Sequence, residues 1–180
     1  DTHIHYIATV SDSTYSPTDH YRGYIFTRKD HPAKTLDDLA NSTFAFVNTT
    51  SSSVFSYPLM LMLKNGFNPK QHFSRTLFLG SHPAVTTGVK DGTVDAGATY
   101  DGNYNSANKA AGNLFKIIDQ TPPIPNKPWV AGKGVTPDFI KKLQLILVSI
   151  TPDTRSADGT PAISADLKVE LEVDSFTIRS

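Results

Sequence analysis

Cysteine is missing from all 180 residues. That excludes disulfide staples, thiolate metal centres and thiol nucleophiles. It says nothing of compartment, because a thiol-free chain tolerates oxidising and reducing surroundings alike. Charge of one sign is also lacking, since 17 Lys and Arg balance 17 Asp and Glu. Coating a phosphate backbone needs a clustered basic excess, so nucleic acid is not an expected partner. No apolar run approaches the roughly 20 residues of a membrane span. The longest, 143–150, is interrupted by Gln144 and Ser149. The Gly-rich loop with a following Lys that cradles nucleotides is absent, as is the Gly-x-Ser-x-Gly elbow of a serine nucleophile. His3 and His5 share one strand face, but no convincing third ligand accompanies them. Neither a metal nor a cofactor is expected.

What the chain does contain is alternation. Residues 4–10 and 21–26 read as strands, and the apolar run Thr43-Phe44-Ala45-Phe46-Val47 as another. Lys34 to Leu39 suggests a short helix, with Thr35 and Asp38 at the spacing of a capping box. A buried helix is expected over 54–65, with Pro58 near its start and Gly66 as stop signal. Strands at 75–79, 94–99 and 114–119 then alternate with helices at 82–90 and 101–111. Strands separated by helices of about ten residues imply crossovers and a mostly parallel sheet with helices on both faces. Such crossovers gather the strand-to-helix loops at one sheet edge, where open α/β folds bind ligands.

After Gln120 the pattern changes. Four prolines between Thr121 and Pro128 favour an extended connection. It reads either as an ordinary surface loop or as a strand returning the chain between lobes. A short strand at 129–131 and a helix from Pro137 to about Ile150 follow. Residues 151–163 look like loop, and 167–173 like a half-exposed strand.

Three loops carry candidate chemistry. Asn48-Thr49-Thr50-Ser51-Ser52-Ser53 joins an apolar strand to a helix. A helix N-terminus offers unpartnered amides and positive dipole potential, and small hydroxylic side chains let a tetrahedral oxyanion approach them. The plain alternative is a helix cap within a polar turn. In Gly80-Ser81-His82, Ser81 is suited to capping and His82 to donating a ring N–H to the same anion. Asp101 at the third loop suits either a ligand hydroxyl or ammonium, or the cap of its own helix. Tyr21, Tyr24, Tyr100, Tyr104 and Trp129 are candidates for a pocket wall or for plain core.

Five segments in this order resemble the phosphonate- and phosphite-binding proteins of bacterial ABC importers. They are Lys34–Leu39, Thr50–Ser53, Gly80–His82, Val94–Ala98 and Ile124–Pro128, and the likeness covers roughly residues 20–150. The resemblance implies a type II periplasmic binding fold of two α/β lobes that close around a ligand. It further implies non-catalytic capture of a small phosphorus oxyanion for import or sensing, with an ABC permease as partner and a periplasmic or extracellular location. Ser51, Ser52, Ser53 and His82 then match the groups that hold the oxyanion, Tyr21 a packing aromatic, and Asp101 an acidic pocket residue. Where relatives that bind aminoalkylphosphonates carry an acidic residue on the return strand, this chain has Lys127. A cation there repels an ammonium and favours phosphite, phosphate, a simple alkylphosphonate or a second acidic group. The resemblance also implies strands of the first lobe and the outgoing hinge at 1–26, a complete second α/β lobe at 27–122, and the return hinge, a helix and the end of the first lobe at 123–180. The chain is shorter than that family, so part of the first lobe is expected to be missing. Two other readings stay open at this stage: a phosphate-ester hydrolase or transferase, and an interaction domain with a degenerate pocket.

Overall fold

The structure is a computed structural model that describes residues 4–11, 20–49, 55–165 and 175–178. Two compact units emerge, 21–124 and, from both ends of the chain, 1–20 with 125–180.

The unit spanning 21–124 is built on a five-stranded sheet. Its strands are β3 (Gly23–Arg28), β4 (Thr43–Phe46), β5 (Arg75–Phe78), β6 (Ala96–Tyr100) and β7 (Phe115–Gln120), in the order β5-β4-β6-β3-β7. β4 pairs parallel with β5 and β6, whereas β3 pairs antiparallel with both β6 and β7. Four strands therefore run one way and β3 alone runs the other. The sheet is thus mostly parallel, as expected, with β3 as its one reversed strand.

Helices cover both faces, and strand periodicity divides the side chains between them. Ile25, Phe44, Phe46, Ala96 and Ala98 pack with Leu39, Met62 and Phe73 on the face of α1 (Tyr57–Lys64) and α2 (Pro69–His72). Phe26, Ala45 and Val47 pack with Val85, Val89, Tyr104 and Phe115 on the face of α3 (His82–Lys90) and α4 (Asp101–Ala110). This double burial is why the run 43–47 reads as continuously apolar. Pro58 falls at the start of α1, where its missing N–H leaves no helical bond unmade. The short α2 has no periodic signal and starts on an Asn68 cap followed by Pro69.

The capping box at Thr35 and Asp38 forms. Asp38 Oδ2 accepts from the amides of Lys34 and Thr35 at 2.9 Å each, and the Asp38 amide reaches back to Thr35 Oγ1 at 3.4 Å. It closes a single 3₁₀ turn, Asp37–Leu39, in place of the expected helix. The chain must enter β4 four residues later, and Asn41 at φ 63° reverses its direction first.

The second unit holds a three-stranded antiparallel sheet, β10-β1-β9, of β1 (His5–Ser11), β9 (Pro128–Ala131) and β10 (Ser175–Thr177). α5 (Pro137–Ser149) is capped by Thr136 and packs Ile140 and Leu147 against Ile7, Ala8, Val10 and Phe176. The two-residue strands β2 (His20–Tyr21) and β8 (Ile124–Pro125) pair with each other, and within them the chain passes from one unit to the other. The strand expected at 167–173 lies outside the described residues.

Candidate functional site

The parallel strands β4, β5 and β6 are neighbours, so their carboxyl ends share one edge of the sheet in the unit 21–124. From that edge leave the loop after Phe46, the turn Leu79–Ser81 into α3, and the Tyr100–Asp101 step into α4. β3 enters at the same edge, because Gly23 pairs with Tyr100.

The β5–α3 turn is the best defined of the three. Gly80 adopts φ +82°, a conformation that costs a side-chain-bearing residue but not glycine. Ser81 then caps α3, its Oγ accepting from the Ala84 amide at 3.3 Å, and Pro83 sits in the first turn. Replacing Ser81 by alanine should cost about 0.5–2 kcal/mol in stability, read as a lower urea midpoint. Replacement by glycine should cost only a few tenths of that unit.

Capping by Ser81 makes His82 the first residue of the helix. Its Nδ1 lies 2.9 Å from Thr99 Oγ1, and its ring stands edge-on to Tyr100 at 4.6 Å between centroids. The imidazole is half-buried and anchored to β6. Thr99 in turn bonds Asn103 Oδ1 at 3.0 Å. Neither Thr99 nor Asn103 stands out in the sequence, where a strand threonine and a polar-helix asparagine look generic.

Asp101 is held by its surroundings. Its Oδ2 accepts the Arg22 amide at 3.0 Å and its Oδ1 the Gly102 amide at 2.9 Å. Burial holds its carboxyl above the ordinary carboxylate value, against the opposing pull of the Arg22 and Gly102 amides. Arg22 spans to the Thr121 carbonyl at 2.8 Å, and Thr121 Oγ1 accepts from the Gly23 amide at 2.9 Å. Tyr21, half-buried, immediately precedes this lattice.

Asn48 and Thr49 follow β4 in the loop that leaves this edge, whereas Ser51, Ser52 and Ser53 lie outside the described residues. Lys127 belongs to the other unit, where it is exposed and its carbonyl accepts from the Val10 amide at 3.2 Å. Among the sequence-predicted residues, His82 and Asp101 thus share one sheet edge with Tyr21 beside it.

Residues 3–170 match the family model described as ABC transporter, phosphonate, periplasmic substrate-binding protein. The chain belongs to that family. Members are substrate-binding proteins of importers and not enzymes. Solved structures agree on the fold, and three illustrate it, each 20% identical to this chain. A Xanthomonas citri protein bound to ATP superposes with a TM-score of 0.71, over 98% of this chain and 66% of its own. PhnD1 from Prochlorococcus marinus in complex with methylphosphonate gives 0.68, over 98% and 65%. A binding protein component of an ABC phosphonate transporter from Pseudomonas aeruginosa gives 0.69, over 97% and 57%. This phosphonate-binding family member therefore spans about two-thirds or less of the length of these relatives. No helix among its described residues is long and apolar enough to cross a membrane.

Proposed function

We propose that this chain contributes the binding site for a small phosphorus oxyanion, and that the whole protein delivers this ligand to an ABC permease from the periplasm or an extracellular location. The site lies at the carboxyl edge of β4, β5 and β6. What supports this most is His82, the first residue of α3, whose ring is anchored by Thr99 at the edge where α4 and the β4 loop also begin. Ser51, Ser52 and Ser53, the hydroxylic run between β4 and α1 in sequence, are taken to supply the remaining donors. Tyr21 packs against the ligand and Asp101 borders the pocket. The family resemblance sets Lys127 where aminoalkylphosphonate binders carry an acid, which supports phosphite, phosphate, a simple alkylphosphonate or a ligand with a second acidic group over an aminophosphonate.

Each charge-assisted hydrogen bond to the anion should contribute about 1.5–3 kcal/mol. Ser52→Ala and His82→Ala should then each weaken binding about ten-fold or more. Calorimetric titration with methylphosphonate, phosphite and phosphate measures this. Unchanged affinity in both variants would discard the assignment.

A further inference from the structure

The hydrogen bonds of Thr99, with the Asn103 amide oxygen as acceptor, bear on where the His82 proton sits. A threonine hydroxyl carries one proton, and Thr99 gives it to Asn103 Oδ1 at 3.0 Å. The contact between Thr99 Oγ1 and His82 Nδ1 at 2.9 Å can then form only with Nδ1 as donor. A neutral imidazole protonated at Nδ1 presents a lone pair at Nε2, which repels an anionic oxygen. We propose that Thr99 and Asn103 are positioning residues that lock His82 in its Nδ1–H form, so that His82 takes up an oxyanion only together with a proton at Nε2. This rests on the reading of His82 as an anion ligand given above.

The proton has two sources. It comes with the imidazolium, or it is carried in by a hydroxyl of a singly ionised phosphonate or phosphate. In both cases the complex holds one proton more than neutral protein and fully ionised ligand, so affinity falls as pH rises. Capture is thereby selective for protonation state as well as for shape. Thr99 is fully buried and faces α3, since it lies two residues beyond Gly97 on the same face of β6. A valine would fill that volume equally well, so packing alone does not account for the hydroxyl.

Other titratable groups on the packed elements do not supply this proton. Tyr100 lies against the ring edge. Asp101 is turned to the Arg22 and Gly102 amides. Tyr24 on β3 and Tyr104 on α4 have hydroxyl pKa values pushed up chiefly by burial, and stay neutral. Arg28, Lys90 and Asp95 belong to the opposite end of the sheet, where Arg28 bonds the Lys90 carbonyl and Asp95 bonds Thr43. Lys109 is in the last turn of α4.

Two measurements test the proposal. Nitrogen-15 imidazole spectra of the unliganded chain, at a pH where the ring is neutral, identify the tautomer, with His82→Gln assigning the signals. Nδ1–H is expected, and Nε2–H would overturn the proposal. Calorimetric titration with hypophosphite, a monoanion with no ionisable hydroxyl between pH 5.5 and 8.5, then isolates the ring as proton source. Affinity should fall about ten-fold per pH unit once the ring deprotonates. Asn103→Ala frees the Thr99 proton for Nδ1, moves the ring proton to Nε2 and should flatten that slope. Asn103→Asp keeps the accepting oxygen and should retain it. A uniform loss of affinity with the slope intact in Asn103→Ala would reduce Asn103 to a structural role and overturn the proposal. If neither hypophosphite nor methylphosphonate binds the parent chain at any pH, the oxyanion reading and the proton coupling fall together, and the spectrum alone decides the tautomer.

Discussion

Gly97→Ala should destabilise the unit spanning 21–124 by about 1–3 kcal/mol, and Gly97→Val by more, because both overpack a filled core. An added Cβ would lie 2.6 Å from Val85 Cγ1, 3.3 Å from the Ala45 carbonyl oxygen and 3.4 Å from Val89 Cγ2. Both valines are fully buried, and a β-branched side chain in a helix has essentially one rotamer. Neither can swing aside, so α3 itself must move away from β6. That helix carries His82 at its tip, tied to Thr99 two residues beyond Gly97. Affinity for methylphosphonate should therefore fall along with stability. The expected record is a lower denaturant midpoint with an unchanged slope. Gly132→Ala is the control, since its new Cβ meets nothing within 4 Å, and it should stay within about 0.5 kcal/mol of the parent. An unshifted midpoint in Gly97→Ala would show that α3 accommodates the methyl group and that the close approach is not required.

The same contacts explain how far the sequence could be read. α3 was legible at both ends, because Ser81, Pro83, Asp91 and Gly92 each have a local reason to start or stop a helix there. The apolar strand 43–47 was legible because helices bury both of its faces. The direction of β3 was not, since direction is fixed by pairing partners and leaves no mark on residue type. The strand at 4–10 was legible and forms as β1, but the burial of Ile7 through Ser11 in succession was not. A register shift between Tyr6 and Ala8 against β9 breaks the two-residue period at that point. In the candidate site, His82 was legible as a titratable residue at a helix start. Its anchor was not, because the Thr99–Asn103 relay exists only after β6 and α4 are folded beside α3. Asp101 was legible as a choice between ligand and cap, and its oxygens do take backbone amides, which leaves the ligand role to be tested.

Asp101→Ala should remove the acceptor of two amides at once, those of Arg22 and Gly102. A buried amide left without a partner costs about 1–3 kcal/mol. With both sites only partly screened from water, a total loss of about 2–4 kcal/mol is expected. Asp101→Asn should lose less, because one carbonyl oxygen can satisfy one of the two amides. The pH dependence has a definite sign. Burial raises the Asp101 pKa in the folded chain above its unfolded value, so the folded state holds this proton more tightly. The associated stability is complete below the unfolded carboxylate pKa, near 3.9, and is lost as pH rises through the higher folded value. Since alanine has no proton to lose, the stability gap between the parent and Asp101→Ala should be widest in acid and narrow toward neutrality. A gap that widens on going from acid to neutral pH would mean that the amides dominate over burial and that the carboxylate is favoured in its charged form. Ligand titration separates the two roles of the group. If Asp101 only ties α4 to the entry of β3, Asp101→Asn should weaken methylphosphonate binding no more than its loss of stability accounts for. A larger loss of affinity at little cost in stability would place the carboxylate in direct contact with the ligand.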